Sequence, residues 1–251
     1  MTEALLLATT RVTTFLANSV LSGATGFFFA RNDRLYLVTS QHVVHDAHSG
    51  HAPDRLEIEL HIDKTDLTQV ASQSLPLYAN GLSTWHAATD GFGDVDVAVI
   101  EVDRSVLPQH AVFHCFTPEH LQDCLEEVEI GAHLLVAGFP LGFHDTVHHL
   151  PVVRFATVAS SFGVRFQGQG FFLTDARTHR GTSGAPVVMR NGSPSEGHLA
   201  WKLLGVHSAR MDMGGRDPSL DESLGLNCAW YADVLMALTD ARPPRAKRPV
   251  A

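Results

Sequence analysis

The chain is punctuated by short runs of β-branched and aromatic residues, each broken off by turn-forming residues. Five fall in the first half, at Arg11–Leu16, Gly26–Ala30, Leu35–Thr39, Leu56–Ile62 and Val95–Val102. Six more follow a gap, at His133–Ala137, Val152–Ala159, Phe171–Thr174, Pro186–Met189, Leu203–Ser208 and Leu226–Trp230. Their lengths, composition and frequent turn breaks fit an all-β sandwich or barrel. Only Ala232–Leu238, ADVLMAL, reads as a helix, and it closes the fold. The polar stretch Asp103–Gln122 divides the strands into two sets. The expected organisation is therefore a first unit over 11–107, a linker over 108–122, a second unit over 123–238 and a frayed Pro- and Arg-rich tail over 239–251.

Composition narrows the partners. The 251 residues suffice for one large or two small domains, and 45% hydrophobic with 18% charged residues describes a soluble globular chain. Eighteen basic against 27 acidic residues give a formal charge of −9, which argues against nucleic acid as the main partner. At the N-terminus, MTEALLLATTRVTTFL carries Glu3 where an export signal carries Lys or Arg. Its apolar run is broken by threonines, so neither export nor a membrane span is expected. The three cysteines, Cys115, Cys124 and Cys228, lack the pairing of a disulfide framework and point to a reducing, cytoplasmic compartment. Oligomeric state is open.

The segment HRGTSGAPVV, residues 179–188, sets Ser183 between glycines at the mouth of an apolar run. Gly, Ser and Pro are ordinary turn vocabulary, so the segment alone does not make Ser183 a nucleophile. Partners are needed. LYLVTSQHVV (35–44) puts His42 at the end of an apolar strand, and GDVDVAVIEV (93–102) puts Asp96 at the head of another. A carboxylate so near buried β-structure is costly unless paired, and an imidazole is its natural partner. His42 would then take a proton from Ser183 while Asp96 fixes the ring tautomer. The main-chain N–H groups of Gly181 and Ser183 would hold an oxyanion. Asp94 lies on the same face of the strand as Asp96 by period-two alternation, so periodicity does not choose between them.

The order His42, Asp96, Ser183 resembles that of the chymotrypsin-like serine proteases. TSQHVV is similar to their Thr-Ala-Ala-His segment, DVAVIEV to their Asp-Ile-Ala-Leu strand, and GTSGAPVV to Gly-Asp-Ser-Gly-Gly-Pro. The likeness runs from about residue 12 to 238. VAGFPLG (136–142) and GLNCAWYADVL (225–235) resemble the bacterial branch that includes the high-temperature-requirement proteases and glutamyl endopeptidases. The resemblance implies two six-stranded antiparallel β-barrels with the active site between them and a short C-terminal helix. It also implies an endopeptidase acting on protein or peptide without a cofactor, and it aligns Asp96, rather than Asp94, with the family aspartate. Val43 stands where secreted members have cysteine, and Thr182 where they have the aspartate that receives a freed N-terminus. Neither that activation nor an appended PDZ domain is expected. A non-catalytic peptide-binding module of the same fold and a metal-dependent hydrolase are the alternatives.

The same resemblance places DARTHRG (175–181) and LLGVHSAR (203–210) around the P1 pocket. Thr178 and His207 match the threonine and histidine of glutamyl endopeptidases, and Arg177 stands where trypsin has aspartate. Hydrogen-bond donors there suit an acidic or glutamine P1 side chain, against a pocket for small apolar residues if His207 merely packs. Two histidine clusters remain, His45, His48 and His51, and His144, His148 and His149. Ser49-Gly50 breaks any helix that would align the first three, so solvated polar loops are expected and no metal site.

Overall fold

The computed structural model describes residues 2–192, 199–211 and 224–240. Fifteen strands lie in these segments. The first nine are β1 (Thr9–Leu16), β2 (Ser19–Arg31), β3 (Arg34–Thr39), β4 (Arg55–His61), β5 (Val70–Pro76), β6 (Tyr78–Ala79), β7 (Leu82–Ser83), β8 (Trp85–Asp90) and β9 (Gly93–Val102). After the crossover come β10 (His133–Gly138), β11 (Val152–Val158), β12 (Phe171–Asp175), β13 (Pro186–Arg190), β14 (Trp201–Arg210) and β15 (Leu226–Tyr231).

Strands β10 to β15 close into a six-stranded antiparallel barrel of order β10-β11-β12-β15-β14-β13. The first half differs from the expected six-stranded barrel. It is a seven-stranded antiparallel sheet of order β5-β4-β1-β2-β3-β9-β8, with β6 and β7 as a separate small ribbon. Its outer strands are not paired to each other. Strand β5, VASQSLP, is polar and buries only Leu75, and β8, WHAATD, is small and polar along its outer end. Each edge strand is half solvated, so neither carries the apolar run that marks a central strand.

Three cores follow from period-two alternation. In β2, Phe28 points into the core enclosed by the first sheet, with Leu37, Val44, Ile58 and Ile100. Its neighbours Phe27 and Phe29 point the other way, into a second core shared between the two halves. There they meet Tyr36, Val97 and Val99 of the sheet and Leu173, Leu203, Val206 and Trp230 of the barrel. The barrel fills its own interior with Leu134, Val136, Phe172, Val187 and Leu204. Three consecutive fully buried phenylalanines thus serve two faces of one strand.

The segment between the halves is more than a tether. Phe116 exchanges main-chain hydrogen bonds with β2, donating to Phe28 (2.9 Å) and accepting from Ala30 (2.8 Å), and its ring lies in the shared core. Among the described residues there are three short α-helices, α1 (Ala4–Ala8), α2 (Gln41–Val44) and α3 (Val234–Leu238), besides single 3₁₀ turns. The single expected helix therefore starts two residues late and has two companions. His42 lies in α2, not at a strand end, because β3 stops at Thr39 and the chain turns at once. Thr239 is buried and bonded to the Leu235 carbonyl (2.6 Å) and the Arg31 guanidinium (3.2 Å), so it belongs to the fold and not to the tail. Residues 241–251 lie outside the described residues. Among those described, no helix is long and apolar enough to cross a membrane.

Candidate active site

The short helix α2 presents His42 to β9. The Asp96 carboxylate accepts twice from this one residue, through Oδ1 from the main-chain N–H (2.8 Å) and through Oδ2 from ring Nδ1 (2.7 Å). The Ser208 hydroxyl is its third donor. Three donors offset the cost of a half-buried charge and fix the ring with Nε2 directed away from the carboxylate. Burial of the imidazole opposes its protonation, but the bond to Asp96 and its charge outweigh that, and the His42 pKa is raised above the ordinary value. Asp94, two residues earlier, is exposed and pairs with Thr89. The β8–β9 ladder shifts register between Ala87, which pairs with Ala98, and Ala88, which pairs with Val95, so Asp96 falls within the bulge while Asp94 stays in the ladder.

Ser208 is the residue that sequence reasoning missed. It follows His207 on β14, and its place in GVHS was the available signal. Its hydroxyl reaches Asp96, and its carbonyl accepts from Ser183 Oγ (3.1 Å). Ser183 and the His42–Asp96 pair are thus connected through Ser208, and the Ser183 hydroxyl is not bonded to the His42 ring.

The loop carrying Ser183 is held from the other half by Thr25 of β2. Thr25 N–H donates to the Ser183 carbonyl (3.0 Å), and its Oγ1 donates to the Gly181 carbonyl (2.7 Å) while accepting from Phe139 N–H (3.1 Å). Its own carbonyl accepts from the Thr39 hydroxyl (2.8 Å). The Arg180 carbonyl is taken by Leu141 N–H at 2.6 Å. The carbonyls on both sides of Gly181 are therefore occupied, whereas the N–H groups of Gly181 and Ser183 donate to nothing among the described residues. Free main-chain N–H groups of this kind are able to receive an anion.

Two glycines permit this packing. Gly181 sits at φ +91°, and a Cβ there would lie 2.5 Å from the Phe139 carbonyl oxygen. Gly184 sits at φ +85°, with a Cβ position 2.2 Å from the Thr25 carbonyl oxygen and 2.4 Å from Thr39 Oγ1. Both contacts are prohibitive for any side chain.

Behind the cleft, His207 is buried on β14, paired with Ala229, and its Nδ1 has no hydrogen-bond partner among the described residues. Burial, aided by the proximity of His42, pushes its pKa down to about 4. Thr178 is buried too, and its hydroxyl donates to Asn227 Oδ1 (2.5 Å). Asn227 Nδ2 donates to the Ala176 carbonyl (2.6 Å), which fixes the amide orientation. The Arg177 side chain is exposed, while its carbonyl accepts from Arg154. All three cysteines are free thiols, and burial pushes Cys115 up to about 11 and Cys228 higher still, so neither is a nucleophile at neutral pH.

With this geometry in view, the family follows from comparison. The profile of the trypsin-like peptidase domain matches residues 24–194. The chain belongs to the trypsin-like peptidase family. No curated protein matches it. Solved structures do: the HtrA-type protease AlgW with tripeptide (TM-score 0.55, 17% identity, 92% of this chain and 58% of that one). The Rv3671c protease from M. tuberculosis in its active form gives a TM-score of 0.53 at 15% identity, over 96% of this chain and 85% of that one. The serine endoprotease from Yersinia pestis gives 0.52 at 15%, over 92% and 61%. At such identities the likeness is one of fold, and the chain spans a little over half the length of the AlgW chain.

Two stability outcomes test the loop anchoring. Thr25→Val removes the partner of the Gly181 carbonyl and of Phe139 N–H, and should lower the unfolding free energy by roughly 2–4 kcal/mol, since a buried polar group left unpaired costs about 1–3. Thr25→Ser should recover most of it in the same denaturant titration. Gly184→Ala should cost at least about 3 kcal/mol through overpacking and strain. Gly50→Ala, also at positive φ but with nothing within 4 Å, should cost only about 1 kcal/mol.

Proposed function

We propose that the protein is a serine endopeptidase that cleaves peptide bonds through an acyl-enzyme on Ser183. The observation that carries this reading is the His42–Asp96 pair, joined through Ser208 to Ser183 in a trypsin-like peptidase domain. Rotation about χ1 re-aims the Ser183 hydroxyl from the Ser208 carbonyl toward the imidazole once a substrate is seated. Ser183 Oγ attacks the scissile carbonyl and its proton passes to His42 Nε2. Asp96 holds the ring and stabilises the imidazolium, and the N–H groups of Gly181 and Ser183 receive the oxyanion. His42 then protonates the leaving amine, and water, activated by the same imidazole, releases the acyl group.

The bond from Ser183 to Ser208 also favours a second reading, a peptide-binding module whose serine is never activated. Labelling by a fluorophosphonate separates the two. Ser183→Ala and His42→Ala should each lower kcat by about 10⁴–10⁶-fold. Because His42 acts as the neutral base and its pKa is raised, kcat/KM should climb with pH through a midpoint above 6.5, the ordinary imidazole value. Asp96→Asn should cost about 10⁴-fold in kcat, and exposed Asp94→Asn little. Full activity in Ser183→Ala, or the reverse ranking of the two aspartates, would overturn the assignment.

For the P1 pocket, the reading favours glutamine ahead of glutamate. Thr178 has committed its proton to Asn227 and remains an acceptor, while His207 is neutral near pH 7 and offers an N–H without charge. A glutamine amide can donate to the first and accept from the second. A carboxylate can only accept. Localisation in a reducing compartment is supported by the three free thiols. In a peptide library, P1 Gln should be cleaved fastest, and the Gln-to-Glu ratio should stay flat from pH 6 to 8, since His42 titrates equally for both. His207→Ala should erase the preference. Strong cleavage after Lys or Arg would end this reading of the pocket.

A further inference from the structure

The loop between β10 and β11 holds His144, His148 and His149, which take no part in the site above. The loop folds back on itself through main-chain pairing of Asp145 with Leu150, and the Asp145 carboxylate accepts from His148 Nδ1 (2.8 Å). It docks on the first sheet at β4, where the His61 ring nitrogen lies 2.7 Å from the His148 carbonyl. His144 and His149 come to rest beside Glu59 of the same strand. A ring nitrogen from each histidine and a carboxylate oxygen of Glu59 lie within 4.8 Å of one another, and all three residues are half-buried.

This grouping differs from the solvated loops expected from sequence. The Arg11 guanidinium binds Glu59 Oε1 at 2.5 Å, which leaves Oε2 for the histidines, with His149 Nδ1 3.4 Å away. His144 Nδ1 bonds the Gly142 carbonyl at 2.6 Å, an arrangement that fixes the tautomer and leaves a lone pair on Nε2. A ring N–H anchored on a carbonyl is the support that metal-ligating histidines commonly have. His149 is held at φ +55°, where residues other than glycine seldom sit. By contrast, His45 stacks on Trp85 and His51 bonds the Val43 carbonyl, so the other cluster does not converge.

We propose that Glu59, His144 and His149 form a binding site for a divalent transition ion, Zn²⁺ in the first instance. Two imidazoles and one carboxylate suit zinc and its neighbours and do not suit Mg²⁺ or Ca²⁺, which take oxygen ligands. Ligand atoms about 2.0–2.2 Å from a tetrahedral ion stand roughly 3.4 Å apart. Side-chain rotations of about an ångström therefore close the site, with water as the fourth ligand. One ligand comes from the first sheet and two from the barrel's loop, so the ion staples the two halves together and stabilises the folded state by mass action.

The test is calorimetric titration of Zn²⁺ into the full chain carrying Ser183→Ala, with Co²⁺ absorption as a reporter of tetrahedral coordination. The binding event does not depend on the peptidase reading. One saturable site is expected, with affinity at least about tenfold weaker in His149→Ala and in Glu59→Gln, which can still accept from Arg11. The pair His45→Ala and His48→Ala should leave it unchanged. Zn²⁺ should raise Tm in the parent and not in His149→Ala. Absence of saturable binding in the parent, or equal affinity in the parent and in the His149 and Glu59 variants, would overturn the proposal.

Discussion

Thr25 is the point on which the site depends. It belongs to the first sheet, yet its N–H, hydroxyl and carbonyl all engage the junction beneath the Ser183 loop. Three of its four bonds bind the barrel half through Ser183, Gly181 and Phe139, and the fourth joins it to Thr39 at the end of β3. Glycine at 184 is the counterpart, because nothing larger fits against the Thr25 carbonyl. The shared core of Phe27, Phe29, Val97, Val206 and Trp230 brings the halves together. The polar contacts of Thr25 then set their registry to within a hydrogen bond, which apolar packing by itself does not.

Electrostatically the site separates two histidines by environment. His42 faces Asp96 and its protonated form is favoured despite burial. His207 lies deeper, with no carboxylate in contact, and its protonated form is disfavoured by burial and by His42 itself. The two rings are coupled with opposite outcomes, so where only one of them is protonated the positive charge resides on His42. That division gives the cleft one imidazole that takes up a proton readily and another that resists protonation.

The strands that were legible in sequence are those buried on at least one face along their length, such as β3, β9 and β15. Edge strands β5 and β8 were not, because exposed polar side chains at alternate positions look like loop. His42 and Asp96 could be singled out because each interrupts an apolar run. The helical placement of His42 could not, since QHVV has no helical period over four residues. Ser208 sat within a recognised segment but looked like strand filler. Glu59 was invisible as a partner of His144 and His149 because its relation to them exists only once β4 and the β10–β11 loop meet. Asp94 and Asp96 were equivalent by alternation until a bulge, which sequence does not announce, told them apart.

The peptide linking Arg180 to Gly181 has its carbonyl tied to Leu141, and the next carbonyl is tied to Thr25, while the N–H groups of Gly181 and Ser183 have no acceptor among the described residues. Immobility and protection are thereby uncoupled. By amide hydrogen exchange the Gly181 and Ser183 positions would look like open loop, although the carbonyls of Arg180, Gly181 and Ser183 are all tied down. On the proposed reading, a charge developing in front of these N–H groups would meet a field already oriented, with little reorganisation left to be done at that moment.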